Sequence, residues 1–388
     1  MKLKKKIFIL GPIGDFGGRE IEVKNITNVL LNEFQVNLIS TIPMTKNSVA
    51  VVVNDSFRWS TIEKEIFLSN VFIMFSSLLY KFLLLSKEPA YRFVGNKLNK
   101  RFFSFNNMHI NIIRKEINRH DLLLFCGELT SKYLKEAIDL CKELNKPIII
   151  RTTGKIKSIP DSIAKLLKDV NLILVHSSSN LKILLLATQN NISVLDQTTL
   201  LEEELINIKI SNYPKKITYG YLGRFSKEKG IIELLNLFER LDKKLIVAGN
   251  GPLLKDVKKK CERRSFLDYV GEVSGVQVVD FFKSIDVLII PSFEESGPLV
   301  GIEAMAAGKI IISTKVGAML DRLQETDNQF WFNIEKEQSL VKVISEIETI
   351  DKASLVNIRK SIRTKYISKY SRKQIGRKYL DVILKFSD

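Results

Sequence analysis

Asp286-Val287-Leu288-Ile289-Ile290-Pro291-Ser292-Phe293-Glu294-Glu295-Ser296-Gly297-Pro298-Leu299-Val300-Gly301-Ile302-Glu303-Ala304-Met305-Ala306-Ala307-Gly308 reads as a strand that turns directly into a helix. Pro298 suits the first helical position, because its missing N–H is one that a helix start leaves unbonded anyway. Working outward, strands Ile217 to Leu222, Leu245 to Ala248, Asp286 to Ile290 and Lys309 to Ser313 alternate with helices starting near Ile231, Pro252, Val276 and Pro298. Such alternation predicts an α/β domain with a doubly wound sheet over residues 217–364.

The same rhythm recurs upstream. Lys6 to Leu10 is a strand, Gly11 to Gly18 a glycine-rich loop, Arg19 to Phe34 has helical periodicity, and Val36 to Ser40 is the next strand. Leu122 to Phe125, Pro147 to Arg151 and Leu172 to His176 continue the pattern, giving a second Rossmann-like domain over residues 1–205. Around Ser211-Asn212-Tyr213-Pro214 the pattern lapses, so 206–216 is read as a linker. Lys365 to Phe386 is expected to form a closing helix that returns to the first domain. Two domains suit 388 residues, since one hydrophobic core stops growing at about 250–300 residues, and a pair leaves a cleft between them.

Clefts in such sheets open at the carboxyl ends of strands. There the sequence offers Gly220-Tyr221-Leu222-Gly223-Arg224-Phe225-Ser226-Lys227-Glu228-Lys229-Gly230, with Arg224 and Lys229 projecting between a strand and a helix. A guanidinium fork and an ammonium suit a diphosphate, each pair reaching at most ~4 kcal/mol at 4 Å before desolvation. A solvated charged loop has a similar composition. In the opening stretch, Gly297 lets a ligand approach the backbone and the N–H groups of Leu299 and Val300 meet a phosphate. Glu303 stands one turn further in, beside Ala304, Met305 and Ala306, where a carboxylate is costly without a partner. Ribose hydroxyls or a structural salt bridge would supply one. Glu295, in the preceding turn, faces the sugar.

Composition narrows the class. Lys and Arg number 60 against 43 Asp and Glu, a net charge of +17, which points to a polyanionic partner or to a lysine-rich background of solvated helix faces. Cys126, Cys141 and Cys261 are odd in number and far apart, which suggests neither a disulfide framework nor a zinc site and fits a reducing compartment. With His109, His120 and His176 as the only histidines, triads and metal cages have little material, and His176 reads as a core or rim residue. The basic start, Met1 to Lys6, is followed by only four apolar residues before Gly11-Pro12, a buried strand rather than an export signal.

One segment stands apart. Ile66 to Leu85 is almost entirely apolar, and Tyr91-Arg92-Phe93 and Lys97 to Phe105 add a basic, aromatic flank. It is long enough for a membrane span and also fits a core helix. Its polar interruptions and basic flank favour helices lying in the interface of an anionic membrane, where each nearby Lys or Arg adds roughly 1 kcal/mol of attraction.

In this order (Gly-Arg…Lys-Gly, then Ala248-Gly249-Asn250-Gly251-Pro252, then Val270-Gly271-Glu272-Val273, then Glu295 and Glu303 with seven residues between) the chain resembles the retaining glycosyltransferases of GT-B fold called group 1, or family four. The resemblance implies that Gly223, Arg224 and Lys229 hold a nucleoside diphosphate, with Asn250, Gly251, Gly297, Leu299 and Val300 in the same donor site. Glu303 would hold the ribose, Val273 the base and Glu295 the donor sugar, while Gly17 and Gly18 would close over it from the other domain. The catalytic set would be Glu295, Arg224 and Lys229. The leaving phosphate would deprotonate the acceptor on the same face, and positive side chains would stand in for a metal, so no cofactor is expected beyond a UDP- or GDP-sugar donor.

Where the family often places a histidine, this chain has Ile150-Arg151-Thr152-Thr153-Gly154, which makes Arg151 and Thr153 the sugar-side or acceptor-side candidates. A lipid-linked glycan acceptor, a peripheral place on the inner face of the membrane through residues about 66–105, and no nucleic-acid partner complete the expectation. A nucleotide-sugar epimerase of the same architecture would keep the donor pocket. A basic nucleic-acid-binding protein has only the net charge in its favour.

Overall fold

The computed structural model describes residues 4–188, 191–210 and 216–387. The first unit opens with β1 (Lys6–Gly11), α1 (Gly18–Leu30) and β2 (Gln35–Ser40). β3 (Phe57–Thr61) runs at once into α2 (Ile62–Ser69) and α3 (Val71–Leu83), and α4 (Lys97–Phe102) and α5 (Phe105–Arg119) lead back to β4 (Leu122–Gly127). α6 (Leu134–Glu143), β5 (Ile148–Thr152), α7 (Asp161–Leu167), β6 (Leu172–Val175), α8 (Ser178–Ala187) and β7 (Ile192–Val194) follow. The seven strands are parallel in the order β3-β2-β1-β4-β5-β6-β7. Helices cover both faces, so β4 and β5 are buried along their whole length.

The second unit runs α9 (Glu202–Ile206), β8 (Tyr219–Leu222), α10 (Ile231–Leu241), β9 (Leu245–Ala248), α11 (Leu254–Cys261), β10 (Leu267–Gly271) and α12 (Val276–Ser284). β11 (Val287–Ile290), α13 (Leu299–Ala306), β12 (Ile310–Ser313), α14 (Met319–Leu323), α15 (Glu337–Thr349), α16 (Lys352–Lys369) and α17 (Arg372–Ser387) complete the chain. Its sheet is parallel in the order β10-β9-β8-β11-β12. In each sheet the order reverses beside the first strand, β1 in one and β8 in the other. Such switch points hold the ligand crevice of an open α/β sheet.

Two expectations differ from what is observed, and a third is only partly described. Leu205, placed by the sequence reading at the end of the first domain, is buried in the core of the second, and α9 packs on α12 and α13. Of the proposed linker, Ser211 to Lys215 lie outside the described residues. The closing helix predicted from Lys365 is two helices broken after Tyr370. α17 alone returns, laying Ile375, Tyr379 and Ile383 into the core that holds Val23 and Ile26 of α1.

Candidate active site

The two switch points face each other across a cleft of about 370 Å³. The second unit supplies the loops after β8 and β11, with Arg224, Lys229, Glu295 and the Gly297–Val300 backbone at its wall; the first supplies Gly18, Thr153 and His176. The Arg224 turn has its shape imposed by glycine. Gly249, at φ 137, lies so near the chain that an added Cβ would sit 2.0 Å from the Gly223 carbonyl oxygen. Phe225 N donates to Asn250 O at 2.8 Å, and Tyr221 Oη donates to Arg224 O at 3.0 Å. Lys229 Nζ forms an ion pair with Glu295 Oε1, which also accepts from Ser292 Oγ at 3.4 Å. Beyond it, α13 presents its free first N–H groups to the cleft beside Leu299 and Val300, a position that favours an anion.

The opposite wall rests on a buried charge network. Arg151 is fully buried and its guanidinium is paired with Glu22 of α1, while one of its N–H groups donates to Leu195 O at 2.6 Å. Glu22 also accepts from Tyr379 Oη of α17 at 3.0 Å and faces His176 Nε2 at 3.1 Å. Burial, with the guanidiniums of Arg151 and Arg322 near it, pushes His176 well below its ordinary pKa and keeps it neutral. A neutral ring facing a carboxylate through Nε2 carries its proton there. Nδ1 is then the acceptor nitrogen, buried and without a hydrogen-bond partner among the described residues.

The units are fastened beside the cleft. Arg322 of α14 donates from Nε and Nη2 to both oxygens of Asp196, each at 2.7 Å, and from Nη1 to Pro298 O. Ser178 N donates to Asp321 at 2.7 Å, and Asn180 Nδ2 to Ser296 Oγ at 3.2 Å.

Of the residues singled out in the sequence, the structure brings Gly18, Thr153, Gly223, Arg224, Lys229, Glu295, Gly297, Leu299 and Val300 to the cleft. It places others elsewhere. Arg151 is a structural cation beneath the wall, because Glu22 has taken its charge. Asn250 and Gly251 do not line the cleft but brace the Arg224 turn, with a Cβ on Gly251 only 2.5 Å from Phe225 O. Val273 packs on the core of the second unit, and Gly17 caps α1 at φ 145. Gly297 is small because His176 and Arg322 approach it: a Cβ there would lie 3.1 Å from His176 Cβ and 3.2 Å from Arg322 Nη2.

Glu303 is buried one turn below the cleft wall, with Thr199 Oγ1 at 3.5 Å, and this burial raises its carboxyl to about 7. The sequence reading missed Arg19, which lines the cleft and donates to Thr153 Oγ1 at 3.1 Å. It also missed Glu22, whose only signal was an acid among apolar residues of a helical stretch.

Residues 202–366 match the family described as glycosyl transferases group 1. An uncharacterized glycosyltransferase of Methanocaldococcus jannaschii is 32% identical over 118 residues, 29% of this chain and 30% of that protein. A lipopolysaccharide 1,2-N-acetylglucosaminetransferase of Salmonella typhimurium is 27% identical over 176 residues, 41% of this chain and 46% of the relative. These alignments span less than half the length of either relative. The crystal structure of Anabaena HepE in complex with UDP superposes with a TM-score of 0.70 over 98% of this chain and all of that one, at 13% identity. That likeness shows the fold, which is GT-B.

Proposed function

We propose that this chain, a group 1 glycosyltransferase by its C-terminal domain and GT-B in fold, moves a sugar from a nucleoside-diphosphate sugar to a hydroxyl of a lipid-linked saccharide. The setting proposed is bacterial capsule, O-antigen or related polysaccharide assembly at the inner face of the membrane. The observation that carries the reading is the meeting of Arg224, Lys229 and the start of α13 in one interdomain cleft. Three sources of positive potential there suit a pyrophosphate whose charge grows as the sugar departs.

Glu295 holds Lys229 by an ion pair. A donor would take the ammonium onto its diphosphate and leave the Glu295 carboxylate to accept from sugar hydroxyls, while Glu303 holds the ribose. The acceptor oxygen bonds to the anomeric carbon as the carbon–phosphate oxygen bond breaks, and its proton passes to the leaving phosphate on the same face. Configuration is retained and no protein base or metal is needed. Thr153 and neutral His176 replace Arg151 as the groups facing the sugar from the N-terminal side. Relatives in lipopolysaccharide and teichuronic acid synthesis support the setting.

A thermal-shift panel with UDP, GDP, CMP and their sugar conjugates tests this. At 100 times its dissociation constant the cognate nucleotide stabilises the protein by about 2.7 kcal/mol. Arg224→Ala and Lys229→Ala should each weaken binding at least ~10-fold, one lost charge-assisted contact in each case. Silence across the panel would sink the proposal. An epimerase would convert the sugar nucleotide without releasing nucleoside diphosphate, and turnover that EDTA abolishes and manganese restores would overturn the metal-free step.

A further inference from the structure

Helix α3 is built inside out for a protein in water. The side chains it turns to the body of the domain are Ile73, Ser76 and Ser77, all buried. Ser76 Oγ bonds to Ile73 O at 3.1 Å and to Asn99 Oδ1 at 2.5 Å, and Asn99 Nδ2 donates to Val94 O at 2.9 Å. Its other face carries Phe72, Phe75, Leu79, Phe82 and Leu83 at helical spacing, with Phe75 70% and Phe82 74% exposed, and Leu85 just beyond is 85% exposed. A soluble helix has the opposite arrangement, and a contiguous apolar face of this kind marks a surface awaiting an apolar partner.

The rim identifies the partner. Between residues 66 and 105 stand six cations (Lys81, Lys87, Arg92, Lys97, Lys100 and Arg101) against one acid, Glu88, itself 3.7 Å from Arg92. An apolar ridge bordered by cations and aromatic rings complements an anionic bilayer, whose headgroups meet the charges while its acyl region takes the phenylalanines. α2 and α3 together have the length and apolar character of a span, but they form a bent pair and not one straight helix. No single helix among the described residues is long and apolar enough to cross a membrane, and α2 and α3 meet at 113°.

Thr61 ends β3 and accepts from Lys64 N as the cap of α2, so the ridge springs from the carboxyl rim of the sheet, where the cleft opens. β3 is two strands from β1, about 10 Å at the usual strand spacing.

We infer that α3, with the basic stretch that follows it, docks this chain on an anionic membrane surface with the cleft side of the N-terminal sheet toward the bilayer. The docking stands without the transfer reaction; that it brings a lipid-linked acceptor to the cleft rests on the function proposed above. Vesicle co-sedimentation tests it, using phosphatidylglycerol mixed with phosphatidylcholine against phosphatidylcholine alone, at low and at high salt. The chain should bind the anionic mixture and release several-fold with salt. The pair Phe75→Ser with Phe82→Ser should cut binding at least ~10-fold, and Lys100→Ala with Arg101→Ala on the order of 10-fold. Melting temperatures without vesicles should not fall, because these side chains are exposed.

Absence of binding at low salt, or unchanged binding by the phenylalanine pair, would overturn the inference. So would a concentration-dependent dimer that the phenylalanine pair abolishes, which would assign the ridge to a second copy. The nucleotide panel is read without vesicles, so failure of either idea is visible apart from the other.

Discussion

At the scale of single residues, a cation is fixed either by its local turn, as Arg224 and Lys229 are, or by one buried partner, as Arg151 is by Glu22. Arg224 and Lys229 follow a strand and precede a helix, and that local context alone puts them at a cleft. Arg151 shares such a strand-end position, yet its partner Glu22 is 129 residues away and no spacing reveals it. Replacing Arg151 with Met should cost roughly 3–5 kcal/mol in urea denaturation, because Glu22 is left buried without its cation. Adding Glu22→Gln should recover part of that loss.

Glu303 gives a pH signature. Burial raises its carboxyl from about 4.5 in the unfolded chain to about 7, so between those values the folded state holds a proton that the unfolded state has lost. Stability from this group is therefore greatest below 4.5, falls as pH rises to 7, and levels above it, a penalty of roughly 3 kcal/mol at most. Glu303→Gln should flatten that slope and be relatively more stable at pH 8. If ribose hydroxyls donate to the carboxylate, nucleotide binding must release a proton between pH 5 and 7, seen as a buffer-dependent heat in calorimetry. A binding heat that ignores buffer ionisation would remove Glu303 from the ribose site.

At the scale of elements, every strand with a continuous apolar run was readable, and the three that were missed, β3, β7 and β10, all lie at sheet edges. β3, β7 and β10 are only partly buried and carry polar residues, as Arg58 in β3 and Asp268 in β10 show, so they lack the buried-strand signature that the edge strand β12, buried throughout, keeps. The split of the last helix was missed because Tyr370 and Ser371 are ordinary residues whose break is set by α17 packing on α1. Glycines were readable as a group, but the close loop contacts they allow were not. Gly249 and Gly251 permit contact between two loops of the protein itself. Gly249→Ala should thus cost several kcal/mol, through positive φ and a backbone collision with Gly223. It should also weaken nucleotide binding, since the Arg224 turn loses its brace. Equilibrium unfolding together with a nucleotide titration reads both effects; an alanine variant of wild-type stability would show that the two loops can separate freely.

At the scale of the whole molecule, alternation of helix and strand is a local property and gave two doubly wound sheets, but nothing local says how one sheet is seated on the other. That seating depends on Asp196 and Arg322, 126 residues apart, whose paired hydrogen bonds are buried where the units meet. Arg322 reaches one step further, donating to Pro298 O at the start of α13 and packing against Gly297. The same guanidinium therefore ties the interdomain geometry to the helix end proposed to receive the phosphate. Asp196→Ala leaves that guanidinium buried without its carboxylate and should cost roughly 3–5 kcal/mol. Adding Arg322→Met removes the stranded charge and should restore most of the stability, since a buried pair contributes little net energy over apolar packing. Nucleotide affinity should not return with it, because neither side chain remains to hold Pro298 and the first turn of α13 against the N-terminal unit. If the double variant regains both stability and nucleotide binding, the pair is a fastening only, and the helix end keeps its position by its own packing.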